Sequence, residues 1–151
     1  QGMNNIIVEI GGELRTKGKN RKNEPWMIAV ETPDLESTGS KTISWAISLE
    51  NKAMATSGDY RNYYEIDGIR YSHEIDPRTG YPSQTGVASA TVIASNCMDA
   101  DALATALIIM GAKSGLQLIE KLDGVEAFLI MREGIDNYRT IKSSGMKINT
   151  L

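Results

Sequence analysis

Apolar and polar positions along the chain change period twice. Short β-branched runs fill the first 95 residues, helical spacing takes over from about 98 to 122, and short runs return after 125. Residues 6–10 (Ile-Ile-Val-Glu-Ile) read as a strand ending at Gly11-Gly12, where the backbone is free to turn. Further strands are predicted at 26–30, 42–49 and 53–57, the last closing at Gly58. Residues 63–66 and 69–71 flank Asp67-Gly68, a strong two-residue hairpin signal. Residues 87–95, 125–131 and 138–143 complete the strands, the last two around a Glu133-Gly134 turn.

Two helices are expected, from about 98 to 110 and from about 114 to 122, with Gly111 and Gly124 as stop positions. Strands segregated from helices predict an α+β fold, a mostly antiparallel sheet with both helices packed on one face. On a helical wheel Leu103, Ala106, Leu107 and Met110 form one stripe, and Asp101 and Thr105 lie opposite. Ala104, Ile108, Ile109 and Ala112 flank that opposite side, so the helix reads as buried nearly all round. A buried carboxylate needs a partner or a cation. Asp101 and Thr105 stand one turn apart, and two readings follow. Asp101 favours the helix dipole while Thr105 bonds back to the backbone, or the two oxygens converge on a hard cation. In the second case magnesium fits the ligand set, and it implies a phosphate-bearing ligand to complete the shell.

The 151 residues are enough for about one domain, and 41% apolar with 23% charged residues describes an ordinary globular chain. A net charge of −3 argues against nucleic-acid binding. The basic run from Arg15 to Lys22 is interrupted by glycine and asparagine and reads as a solvated loop. Cys97 is the sole cysteine, so disulfides and cysteine-based zinc sites within the chain are excluded. No uninterrupted apolar run approaches ~18 residues, so no transmembrane segment is expected. No basic leader precedes the first strand, and the beginning of the chain says nothing of localisation.

The single histidine, His73, follows the predicted hairpin and precedes Asp76-Pro77 by three residues. A histidine set by a neighbouring carboxylate takes a proton from a hydroxyl nucleophile at neutral pH. Each residue also has a structural reading: a surface histidine, and an Asp that caps the turn of Pro-Arg-Thr-Gly. Two nucleotide motifs fail. From Gly12 to Gly18 the spacing is one residue too long for a P-loop, and Asn20 stands where its Ser or Thr belongs. No Gly-x-Gly-x-x-Gly joins a strand to a helix.

Four segments in order resemble the ApbE family of FAD:protein FMN transferases. These are 7–14 (Ile-Val-Glu-Ile-Gly-Gly-Glu-Leu), 55–60 (Ala-Thr-Ser-Gly-Asp-Tyr), 72–80 (Ser-His-Glu-Ile-Asp-Pro-Arg-Thr-Gly) and 100–105 (Ala-Asp-Ala-Leu-Ala-Thr). The resemblance covers nearly the whole chain and implies a T-fold-like architecture, with residues 1–151 forming a single domain similar to the C-terminal half of such an enzyme. It implies transfer of FMN from FAD to a threonine hydroxyl of an acceptor flavoprotein, with release of AMP and with magnesium on the FAD diphosphate. Asp101 and Thr105 match metal ligands, Ile75 a flavin-nucleotide contact, and Ser57, Gly58 and Asp59 the nucleotide-binding segment. His73, with Asp76, is the candidate catalytic pair. Ala104 stands where some relatives carry a further acidic ligand. The half preceding the double glycine is absent, so this chain is expected to supply part of the site and to be inactive alone. An FAD pyrophosphatase, or a non-catalytic flavin-binding fragment, is the alternative. The resemblance further implies an exported, lipid-anchored protein on the periplasmic side.

Overall fold

The computed structural model describes residues 2–33, 43–59, 63–66, 69–134 and 137–150. The strands are β1 (Ile6–Ile10), β2 (Glu13–Lys17), β3 (Trp26–Glu31), β4 (Ile43–Leu49), β5 (Ala53–Gly58), β6 (Tyr63–Ile66) and β7 (Ile69–Ser72). The short pair β8 (Ile75–Asp76) and β9 (Tyr81–Pro82) follows, then β10 (Val87–Ala94). Helix α1 (Cys97–Ile119) precedes β11 (Glu126–Arg132), β12 (Tyr138–Lys142) and β13 (Asn149–Thr150). Six strands form one antiparallel sheet in the order β1-β2-β5-β10-β11-β12. The α+β class and the mostly antiparallel sheet are as expected.

The central strands β5, β10 and β11 of that sheet are buried on both faces, while the edge strands β1 and β12 are largely exposed. Alternation along β11 sends Ala127, Leu129 and Met131 to the helix side and Phe128 and Ile130 to the other. On the second side β3, β4 and β13 make a smaller antiparallel sheet. Val30, Ile47 and Leu49 from it meet Leu14, Met54, Phe128 and Ile130, and Trp45 stands edge-on to Phe128 at 5.4 Å. The first sheet is therefore sandwiched between a helix and a second sheet.

Gly11 (φ 72°) and Gly12 (φ 116°) form the two-residue loop that pairs Ile10 with Glu13, conformations that side chains resist. The basic run beyond it is not all loop. Glu13–Lys17 is a strand in which Leu14 and Thr16 point inward while Arg15 and Lys17 are solvated. Strands β6 and β7 pair with Ile66 opposite Ile69, as the hairpin signal predicts; Asp67 and Gly68 themselves lie outside the described residues.

The helical region keeps the expected break but not the expected gap. A continuous stretch runs from Cys97 to Ile119, capped by the Asn96 side chain on the Asp99 amide, and joins two helical segments across a kink. The kink is at Gly111. At φ 77° and ψ 165° it interrupts the backbone, and the helix resumes at once. The Ile108 carbonyl at this break accepts hydrogen bonds from the hydroxyls of Ser83 (2.9 Å) and Thr85 (2.5 Å).

The buried face also differs. Ala100, Ala104, Leu107 and Ile108 are fully buried, Leu103 and Met110 only in part, and Asp101 is exposed. Alanines on the helix meet Ala55, Ala90, Ala94 and Ala127 on the sheet, so the two backbones approach closely and the larger residues sit at the flanks. By length and composition alone α1 is long and apolar enough to cross a membrane. Here its apolar face packs on β5, β10 and β11.

Gly111 gives a stability prediction. An alanine there would be held in a backbone region essentially closed to side chains, with its Cβ 3.3 Å from the Thr85 Cβ. Gly111→Ala is expected to lower stability by about 1–3 kcal/mol in urea denaturation. An unchanged midpoint would show that the break relaxes into regular helix without cost.

Candidate functional site

Strand β5 carries the first part of the site. Ala53, Ala55 and Ser57 share its helix-facing side, and Ser57 Oγ lies 3.0 Å from Thr105 Oγ1 on α1. Gly58 pairs with Ser89, and Asp59 leaves the sheet edge with its amide donating to the Ala88 carbonyl at 3.1 Å. The Asp59 carboxylate is buried and receives two hydrogen bonds from Arg132, both 2.8 Å. Those bonds raise the Arg132 guanidinium further above its usual value, against the opposing effect of burial. Arg132 is held in turn by its own amide on the Gly86 carbonyl. The ends of β5 and β11 are thus clamped across β10.

The segment after β7 supplies the second part. Asp76 organises the turn between β8 and β9. Its Oδ1 accepts from the Arg78 amide at 2.9 Å, and its carbonyl accepts from the Gly80 amide at 2.8 Å. The Arg78 guanidinium folds back on the same carboxylate, with contacts down to 2.7 Å. The Arg78 bonds, side chain first and backbone second, hold the Asp76 carboxyl below its ordinary range.

His73 is therefore served by a different carboxylate. Its Nδ1 lies 3.3 Å from Glu74 Oε2, with Glu74 buried and His73 exposed. The Ser72 hydroxyl also donates to Glu74 Oε2, and the Glu74 carbonyl accepts from the Ser83 amide at 2.8 Å. Burial raises the Glu74 carboxyl above its ordinary value; a backbone hydrogen bond and His73 oppose this, and Asp59 adds to it. A cavity of about 180 Å³ lies among Asp59, Ser72, Thr85, Ile108 and Arg132, and so joins the two parts. A wider groove of about 510 Å³ opens beside it, between Tyr71, Asp76, Tyr81 and Ser83.

The structure thus brings Ser57, Thr105, Asp59 and the segment 72–74 to one rim of the sheet. Ile75 stands exposed next to them. Asp76 is turned to Arg78. Asp101, one turn before Thr105, makes no hydrogen bond or ion pair with a described residue. It borders a groove with Val8, Ile10, Glu13, Arg15 and Met98. Among the described residues no three His, Cys, Asp or Glu side chains gather as a metal cluster. An uncommitted carboxylate with a hydroxyl one turn away does fit a hard cation that keeps water and phosphate oxygens in its shell.

Residues 1–129 match the ApbE family model. The chain belongs to the ApbE family. Among curated relatives of this ApbE chain, the FAD:protein FMN transferase of Haemophilus influenzae is 48% identical over 140 residues, covering 93% of the chain and 39% of that protein. The FAD:protein FMN transferase of Vibrio cholerae is 44% identical over 147 residues, covering 97% of the chain and 42% of that protein. The solved structure of the Vibrio cholerae flavin transferase ApbE superposes with a TM-score of 0.78 at 42% identity, over 95% of this chain and 44% of that one. The apo flavinyl transferase ApbE of Pseudomonas stutzeri gives 0.76 at 39% identity, over 95% and 42%. The chain spans about two-fifths of the length of these ApbE proteins.

Within this ApbE chain, sequence reasoning overlooked Glu74, Arg132 and the pair Ser83–Thr85. Glu74 sat in plain view beside the histidine. Arg132 carries no local signal, since its partner lies 73 positions away.

Proposed function

We propose that the chain forms the part of a FAD:protein FMN transferase that carries the general base and a share of the cation and nucleotide contacts. The observation that supports it best is His73. Its Nδ1 faces a buried carboxylate, so Nε2 is the nitrogen presented to a nucleophile at the rim. A threonine hydroxyl of the acceptor protein gives its proton to Nε2 as its oxygen bonds the phosphorus of the FMN moiety. The bond from that phosphorus to the bridging oxygen breaks, and AMP leaves with that bond's electron pair. Ser57, Gly58, Asp59 and Ile75 are assigned to the FAD contact. Asp101 and Thr105 would hold magnesium, which supplies charge neutralisation on the diphosphate when bound. The Asp59–Arg132 clamp keeps the β5 exit in place while the substrate is oriented. We further propose that the full-length protein is exported to the periplasmic side and lipid-anchored, which fractionation and lipid labelling test.

The deciding experiment incubates the full-length protein with FAD, magnesium and a threonine-bearing acceptor, and follows covalent flavin by in-gel fluorescence. Flavinylated acceptor is expected, and His73→Ala is expected to slow its formation by about 10²- to 10⁴-fold. Free FMN with an unmodified acceptor would identify a pyrophosphatase instead. Equal rates with and without His73 would remove the general base from the scheme.

A further inference from the structure

We propose that Glu74 is the positioning residue of His73: its buried carboxylate grips the imidazole by Nδ1 and turns Nε2 outward to the nucleophile. The proposal rests on the flavin-transfer role given to His73 above. The family resemblance assigns Glu74 no role.

The geometry separates Glu74 from the more obvious candidate. Asp76 is two residues further on, but its carboxylate is engaged by the Arg78 amide and guanidinium. Glu74 instead points inward, with its side chain 4% exposed against 45% for His73. A carboxylate in that position is costly unless every lone pair finds a donor or a positive charge. Two groups meet one of its oxygens, Oε2: the Ser72 hydroxyl and the His73 ring. Ser72 Oγ also accepts from the Glu74 amide at 3.1 Å. The glutamate side chain is thereby tied to its own backbone, and its free oxygen position is fixed.

The wider charge pattern favours the same role. Asp59 is the other carboxylate close enough to act on Glu74, and its charge is answered by Arg132 in a bidentate pair. Within the site His73 is therefore the group left to compensate Glu74. A carboxylate so placed selects the tautomer with the proton on Nδ1 and stabilises the imidazolium that forms when Nε2 takes a proton.

The test reads the imidazole directly and does not require activity. Nitrogen-15 and proton spectra of the full-length protein are recorded across pH, with the His73 signals assigned by their loss in His73→Ala. The wild-type ring is expected to carry its neutral-form proton on Nδ1. Glu74→Gln keeps the shape and removes the charge, so the neutral ring is expected to lose its preference for the Nδ1 proton and to show both tautomers. Glu74→Asp, which keeps the charge, is expected to restore most of that preference and serves if the glutamine variant does not fold. In the FMN-transfer assay Glu74→Gln is expected to lower kcat at least about tenfold with KM for FAD nearly unchanged, and to add nothing in a His73→Ala background. A wild-type ring protonated on Nε2, or a Glu74→Gln ring with unchanged tautomer, overturns the proposal. If the ring responds as expected while no flavin is transferred, the positioning stands and the flavin-transfer reading falls.

Discussion

Arg132→Met is expected to destabilise the protein by about 2–4 kcal/mol. Arg132 meets Asp59 through two 2.8 Å hydrogen bonds, and the two side chains are 22% and 12% exposed. Methionine fills much of the same space but strands a carboxylate that is already largely removed from water. The cost of that desolvated charge exceeds the modest value of a surface ion pair by several-fold. Residual exposure of Arg132 puts the effect toward the lower end of what fully buried pairs show. Urea denaturation of the single variant and of Asp59→Asn/Arg132→Met separates the two contributions. The double variant is expected to recover part of the loss, because no charge remains uncompensated. A single variant as stable as the parent would mean that water reaches Asp59 and solvates it in place of the guanidinium.

If the proposed function holds, Asp101→Ala is expected to lower FMN transfer by the full-length protein on the order of 100-fold or more, with little change in stability. Changes in the outer shell of metal sites already cost about 10- to 100-fold, and a charged ligand contributes more than they do. The fold has little stake in this side chain. Asp101 is exposed and bonded to no described residue, so its removal is expected to stay within about 0.5 kcal/mol. Thr105→Ala is expected to be milder in activity yet measurable in stability, by about 1 kcal/mol, because it leaves the Ser57 hydroxyl without its 3.0 Å partner. Wild-type turnover and magnesium dependence in Asp101→Ala would remove the cation from this helix.

The opposite pattern of exposure and partnering explains why the two predictions differ in kind. Arg132 and Asp59 act on the fold because their charges have no alternative to each other. Asp101 has water as an alternative, so its substitution is expected to leave the fold intact.

Much of this architecture was legible in local patterning. The β-branched runs at 6–10, 53–57 and 87–95 became β1, β5 and β10, and the turn glycines at 11 and 12 closed the first hairpin. The Glu13–Lys17 strand was also encoded, as alternation of Leu14 and Thr16 with charged residues, but a cluster of lysine and arginine obscured it. Gly111 announced an interruption. Its consequence was decided elsewhere, because the Ser83 and Thr85 hydroxyls satisfy the carbonyl that a helix end would have left open. Local sequence sets periodicity and backbone freedom, since both depend on residues within one turn or one strand. The rotation of α1 about its axis depends on which small residues the sheet offers, so the alanine-faced packing and the exposure of Asp101 became visible only with the sheet in place. The same holds for charge. Asp59 finds Arg132 across 73 positions, and the Glu74 beside His73 is buried where its carbonyl accepts from the Ser83 amide. The residue types at the site were written in the chain; their pairing was decided by tertiary contacts, because desolvation acts on groups brought together in space, whatever their separation in sequence.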